Sequence, residues 1–239
     1  MHNDSLRSLS FFRLVAFIKC VKYYLRNEYL RVKTMALKLS EIADIQAGHP
    51  FRGKITEDRH SQDSVVQMKD VSPDGSLGQL NWHNLVTARL EGRKSPVWLR
   101  PGHVLFVARG GRNFAVHVNE APMRAVCGQL FFLINVKKGY EDKVLPRFVA
   151  WLINSTKAQR YFDADAQGVT QSYAQRNITR KVLEDLPIVL PSMDEQLKMT
   201  QLFETARRER ATLMALIDNR QNELSAITTE FYLKYAKHK

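Results

Sequence analysis

Three polar stretches of this chain hold side chains able to do chemistry. The first contains Phe51, Arg52 and Lys54, with Arg59 downstream; the second is Arg109, Gly110, Gly111, Arg112 and Asn113; the third runs from Gly168 through Thr170, Gln171, Ser172, Tyr173, Gln175 and Arg176 to Asn177. Each couples cations, which suit phosphates, to amide, hydroxyl or guanidinium groups, which suit the edges of nucleic-acid bases. The paired glycines at 110–111 would let the backbone come close to a ligand, and arginine can take guanine in a two-pronged contact. Singly, each stretch is also what a solvated surface loop looks like; together, in a basic chain, they point to DNA contact. Arg89, Arg93 and Lys94 are further candidates for phosphates, with a plain solvated turn equally consistent.

Bond-making chemistry finds less support. A nuclease needs clustered acids for magnesium and a methyltransferase needs a glycine-rich cofactor loop after a strand. The nearest acidic pair, Asp163 and Asp165, reads as a helix end, and the Ala108–Asn113 run lacks the strand–loop–helix setting of a nucleotide loop. No serine, cysteine or histidine set suggests a nucleophile, and no group has metal-ligand spacing. The expectation is therefore a chain with no catalytic residue and no metal of its own.

The 239 residues are 44% hydrophobic, enough for a core, and carry a net charge of +12, which favours polyanionic partners. Cys20 and Cys127 are too few for a disulfide scaffold and read as reduced thiols in a cytoplasmic protein. Residues 1–34 form a basic segment with seven Lys/Arg and two acidic residues, a net +5 that leaves +7 for the remainder. Arg13, Lys19 and Lys22 break its apolar run well short of the roughly 20 residues a membrane span requires. Either it is a helical extension, or it is upstream sequence read in frame with a fold that starts at Met35; the second is favoured, so a chain starting at Met35 is expected to fold.

Residues 35–191 read as a β-rich domain with a few helices, and 192–239 as one long helix, an α+β class overall. Ser40 can cap a short turn over EIAD, DSVVQMKDV alternates like a strand, and VWLRPGHVLFVARGGRNFAVHV reads as two strands around glycine turns. RAVCGQLFFLINV reads as one buried strand. Pro146 followed by Phe148, Val149, Leu152 and Ile153 predicts an amphipathic helix to about Phe162. Pro187 and Pro191 bracket a short apolar strand, and Ser192 with Glu195 forms a capping box that starts the last helix.

The order of these pieces resembles the specificity subunits of type I restriction-modification enzymes. The matching segments are KLSEIADIQAGHPFRG, VVQMKDV, PGHVLFVARGG, VLPRFVAWLINS, GVTQSYAQRNI and LPIVLPSMDEQ, which together cover nearly all of residues 35–239. One departure is Gly102-His103, where such subunits usually have Gly-Asp; a satisfied or solvent-facing histidine is expected there. The resemblance implies a target-recognition domain that binds double-stranded DNA, with the 168–177 loop close to it, and partners that carry the chemistry: a modification (methyltransferase) subunit and a restriction subunit. S-adenosylmethionine, ATP and magnesium would belong to those partners.

Past Ser192 the sequence repeats in heptads. Phe203, Arg210, Ile217, Leu224 and Phe231 form one seam, and Met199, Ala206, Leu213, Arg220 and Ile227 its companion on the same face. With one recognition domain and one such helix, the chain resembles half a specificity subunit, and homodimerisation through the helix to read a bipartite palindrome is expected. The alternative is a regulatory half-subunit that docks its helix on another specificity or modification subunit.

Overall fold

The computed structural model describes residues 37–73, 78–90, 95–166 and 176–236. The chain enters on β1 (Leu37–Lys38), a single helical turn α1 (Leu39–Ile42) and β2 (Ala43–Ala47). It continues through β3 (Ser64–Val66), β4 (Val71–Ser72), β5 (Gln79–Leu80) and β6 (Val86–Thr87). Next come β7 (Val104–Val107), β8 (Arg109–Gly110), β9 (Ala115–His117), β10 (Ala125–Cys127) and β11 (Phe131–Val136). Helices α2 (Pro146–Asn154) and α3 (Thr156–Ala166) follow, then β12 (Arg176–Asn177), α4 (Arg180–Glu184), β13 (Pro187–Ile188) and the long α5 (Met193–Ala236).

The central sheet is antiparallel in the order β2–β11–β7–β9. Both of its faces are covered, so all four β7 residues are buried. Side chains alternate across a strand, and the period sorts them into two cores. Val104 and Phe106 pack with Ile45, Ile134, Val149, Ile153, Phe162, Leu183 and Ile188 on the helical side. Leu105 and Val107 pack with Val66, Phe114, Val116, Cys127, Phe131 and Leu133 on the other. That second side meets a smaller sheet, β10–β3–β6, in which β10 and β3 run parallel. A third cluster, Val65, Ala88 and Val126, is covered by Phe51, Ile55, Leu90 and Trp98.

Several local expectations change for physical reasons. RAVCGQLFFLINV is two strands in different sheets, because Gly128 turns the chain between them: its N–H donates to Val66 and its oxygen accepts from Phe131. The backbone at Gly48 passes so near that a Cβ there would lie 2.1 Å from the Gly128 oxygen. The VVQMKDV strand stops at Val66, since buried Asp70 bends back to accept from the Gln67 N–H at 2.8 Å and closes a 3-10 turn over Met68–Asp70. The helix from Pro146 breaks at Ser155, whose ψ of 151° is extended and whose hydroxyl accepts from the Ala158 N–H to start α3. Before the break Asn154 turns inward, donating to the Ala115 oxygen at 2.8 Å and accepting from its N–H at 2.7 Å. The first turn is capped from Lys38, whose N–H donates to Glu41, and not by Ser40.

The Pro101-Gly102 turn adapts to histidine. Gly102 sits at φ +90°, a left-handed value suited to the third residue of a type II turn, and the His103 N–H closes the turn onto the Arg100 oxygen at 3.1 Å. His103 Nδ1 accepts from the Arg100 N–H at 3.1 Å, so the ring is satisfied as expected and must be neutral. Burial, then the Arg100 charge, hold His103 below the ordinary imidazole range. Burial also lowers His117, opposed by its bond to Asn119 and helped by Arg147.

The end of the chain joins as the prolines and the capping box predict. β13 pairs antiparallel with β1, Leu37 opposite Ile188. Ser192 and Glu195 exchange hydrogen bonds, the Ser192 N–H donating at 2.8 Å, and this holds Glu195 below the usual carboxylate range. α5 then runs for 44 residues, roughly 66 Å at 1.5 Å per residue. Its first turns are docked: Gln196 and Thr200 are buried and Phe203 packs tilted against Trp151, ring centroids 5.3 Å apart. Gln196 accepts from the Leu145 N–H at 2.9 Å and donates to the oxygens of Lys143 and Pro191 at 2.7 and 2.9 Å. From Arg208 to Tyr235 every side chain is exposed.

Two outcomes follow from these contacts. Gln196→Ala leaves one N–H and two carbonyls without their partner and should lower unfolding free energy by about 1–3 kcal/mol in a urea titration; an unchanged midpoint would show the clamp to be idle. For the histidines, a folded pKa below the unfolded value near 6.5 means that the unfolded chain takes up protons first. Their contribution is complete above about pH 6.5 and is lost as pH falls through the depressed folded values. Melting temperature should drop between pH 7 and pH 5, and His103→Asp should shrink that drop.

Candidate nucleic-acid interface

The fold brings two of the three candidate stretches together. β8 and β12 pair antiparallel, Gly110 opposite Arg176 and Arg109 opposite Asn177. The Ile178 N–H donates to the Ala108 oxygen at 2.9 Å, and buried Ile178 seats the ribbon on the helical-side core. Arg109 is exposed, and its Nε–H donates to the Asn177 side-chain oxygen at 3.3 Å. Arg112 is exposed on the same turn. Thr170, Gln171, Ser172, Tyr173 and Gln175 lie outside the described residues, as do Arg93 and Lys94, and of Arg176 the backbone pairing alone is described.

Asn113 is a correction. It is fully buried, and its amide nitrogen donates to the oxygens of Val107 and Ala108 at 3.0 Å each. A side chain so placed fixes the base of the turn and does not reach a ligand. The turn it closes has uneven glycine chemistry. Gly110 is held by its backbone, at a φ of +155° that side-chain-bearing residues rarely adopt, and a Cβ there would also lie 3.3 Å from the flexible end of Met68. Gly111 is not, since a Cβ would meet nothing within 4 Å and its φ is not left-handed.

The first stretch is anchored on another sheet. Phe51 is half-buried against Val65, Ala88 and Val126 and stands edge-on to His49 at 5.0 Å, so it holds the loop down. Arg52 and Lys54 are exposed around Gly53, whose φ is +79°. Arg59 is exposed and 3.7 Å from Glu57, a weak surface pair. Beyond it Arg124 lies over the Trp98 ring at 5.0 Å and pairs with Asp63. Sequence reasoning had no route to that cluster, because its members come from three separate segments. Exposed Arg89 follows β6 near the same edge.

Of the two cysteines, Cys127 is described; it is buried and its thiol is pushed up to about 12 by that burial, unsuited to a nucleophile. Among the described residues there is no group of three or more His, Cys, Asp or Glu able to hold a metal ion, and no helix long and apolar enough to cross a membrane.

On the heptad face, Ala206, Arg210, Leu213, Ile217, Arg220, Leu224, Ile227 and Phe231 are all exposed, with Leu213 at 61% and Phe231 at 58%. Arg220 is held within its own helix by Glu223 at 2.6 Å. Phe203 departs from the expectation by packing on Trp151, and Met199 is half-buried. At 100° per residue Gln196, Thr200, Phe203 and Arg207 trace one line that meets the domain, while Ala206, Leu213, Ile217 and Leu224 trace a neighbouring line that does not.

No family model and no curated protein matches the sequence. Among solved structures the chain is similar to one from a study of the assembly and conformational transition of the type I R-M system, at 19% identity and a TM-score of 0.52. That likeness covers 93% of this chain and 53% of the other, and it establishes a shared fold. An HsdS subunit from Thermoanaerobacter tengcongensis matches at 21% identity over 75% of this chain and 38% of its own, with a TM-score of 0.46. A type I restriction-modification S subunit from M. genitalium matches at 10% identity over 80% and 44%, with a TM-score of 0.45. The chain thus spans about half, or less, of the length of the structures it matches.

The buried amide makes the turn testable. Asn113→Ala removes both bonds to the Val107 and Ala108 oxygens and should cost about 1–3 kcal/mol of stability. A urea titration of Asn113→Ala checks this, and an unchanged midpoint would show that the two bonds do not hold the turn.

Proposed function

We propose that this chain is a non-catalytic DNA-recognition subunit of a type I restriction-modification system, a half-subunit that homodimerises to read a bipartite palindromic site. The observation that carries the reading is the β8–β12 ribbon, which joins the Arg109–Arg112 turn to the end of the 168–177 segment on a domain whose fold is that of a type I R-M system chain. The net charge of +12 supplies the long-range attraction to duplex DNA, and this part of the affinity falls steeply with salt. Recognition residues are Arg52, Lys54, Arg59, Arg109, Arg112 and the 170–176 segment, with Phe51 as an anchor.

The outer helix supplies the second half of the reading. An apolar line exposed from Leu213 to Phe231 is what a helix offers to another helix. Two copies related by a two-fold axis would read inverted half-sites, with a gap between them set by helix length. The methyltransferase and nuclease activities, with S-adenosylmethionine, ATP and magnesium, would reside in modification and restriction subunits. The second reading, a regulatory half-subunit docked on another specificity or modification subunit, draws on the same exposed line.

The two readings separate in solution. Light scattering of the chain should give a dimer, and Leu213→Asp or Ile217→Asp a folded monomer that loses the bipartite site but keeps weak, salt-sensitive DNA binding. A wild-type monomer, alone and on DNA, would reject the homodimer and favour docking on a different subunit.

A further inference from the structure

We propose that Arg109 reads a guanine and that Asn177 is its positioning residue, a proposal that rests on the DNA-recognition reading above. The two stand opposite each other across the β8–β12 ribbon, 68 positions apart in sequence. The Nε–H of Arg109 donates to the Asn177 oxygen, which leaves the two terminal nitrogens as a pair of parallel donors on an exposed side chain. That edge matches the O6 and N7 acceptors of guanine in the major groove. A free arginine reaches such a contact from many rotamers; one tied at Nε has fewer to lose, so more of the contact energy appears as discrimination.

The surroundings fit a reading tip. The ribbon is fixed beneath Arg109 by the Ile178 bond to Ala108 and by buried Asn113, whose amide holds the Val107 and Ala108 oxygens. Two residues on, Gly111 is a glycine that neither internal packing nor backbone angle demands. Empty space beside an exposed glycine admits close approach of a groove wall to the backbone. A phosphate takes the same fork in a two-pronged contact, so dependence on base identity is what separates the two.

Enrichment from a pool of random-sequence duplexes tests this with the full chain. Wild type should enrich a motif containing a guanine whose identity disappears with Arg109→Ala and weakens with Asn177→Ala, while Asn177→Asp, which keeps the acceptor, retains it. Arg109→Ala should lose roughly five- to hundredfold on the enriched duplex and little on the random pool. Replacing that guanine by 7-deazaguanine should cost wild type several-fold and Arg109→Ala nothing. A motif unchanged in both Arg109→Ala and Asn177→Ala, or equal losses on enriched and random duplexes, would overturn the proposal and make Arg109 a phosphate contact. Failure of wild type to enrich any motif would overturn the DNA-recognition reading itself. Thermal melts of each variant, expected within a few degrees of wild type because both side chains are exposed, keep misfolding apart from lost recognition.

Discussion

One buried amide sets how the two parts of this molecule meet. Gln196 takes up the Leu145 N–H and the Lys143 and Pro191 oxygens, so the segment that starts α2 and the segment that starts α5 share a single side chain. Gln196 is itself fully buried, so its own amide would be left without partners if these half-buried backbone groups moved away, which makes the arrangement costly to vary. The tilted contact of Phe203 with Trp151 adds a second one two turns along. Over roughly 60 Å of helix, a tilt of about 10° at the base would move the far end by about 10 Å. Whatever α5 positions at its far end is therefore governed by a few contacts at its beginning.

The central sheet plays the same part for the ribbon. β7 and β9 are buried on both faces and lead directly into and out of the 108–114 turn, so the turn inherits the rigidity of two cores. Asn113 and Ile178 close the remaining freedom by binding main-chain oxygens.

Much of the fold was legible where one local signal dominates. The Ser192–Glu195 box, the proline-bracketed strand and the Pro146 helix start depend on neighbours within four residues, and each appears in the structure. The misreadings arose where a distant partner decides. Asp70 and Ser155 interrupt apolar patterns that looked continuous, and Gly128 splits an unbroken run because Gly48 passes against it. The candidate site divides the same way. Arginine and glycine types marked the 109–113 turn, but nothing local told Asn113, turned inward, from Arg112, turned outward, and nothing in spacing linked Arg109 to Asn177. The heptad pattern gave the exposed line from Leu213 outward correctly, yet could not tell that Phe203 serves the domain.

The emptiness around Gly111 bears on how such a domain can change over generations. Arg109, Gly111 and Arg112 lie outside all three core clusters, and surface substitutions away from packing and caps usually shift stability by less than about 0.5 kcal/mol. New side chains can be tried at the tip without drawing on a stability margin of only 5–15 kcal/mol, typical of domains of this kind. The buried residue of the turn, Asn113, would keep its shape if the exposed ones changed. A scaffold arranged like this separates the demands of folding from those of whatever the exposed tip touches, and would let the second change while the first is held.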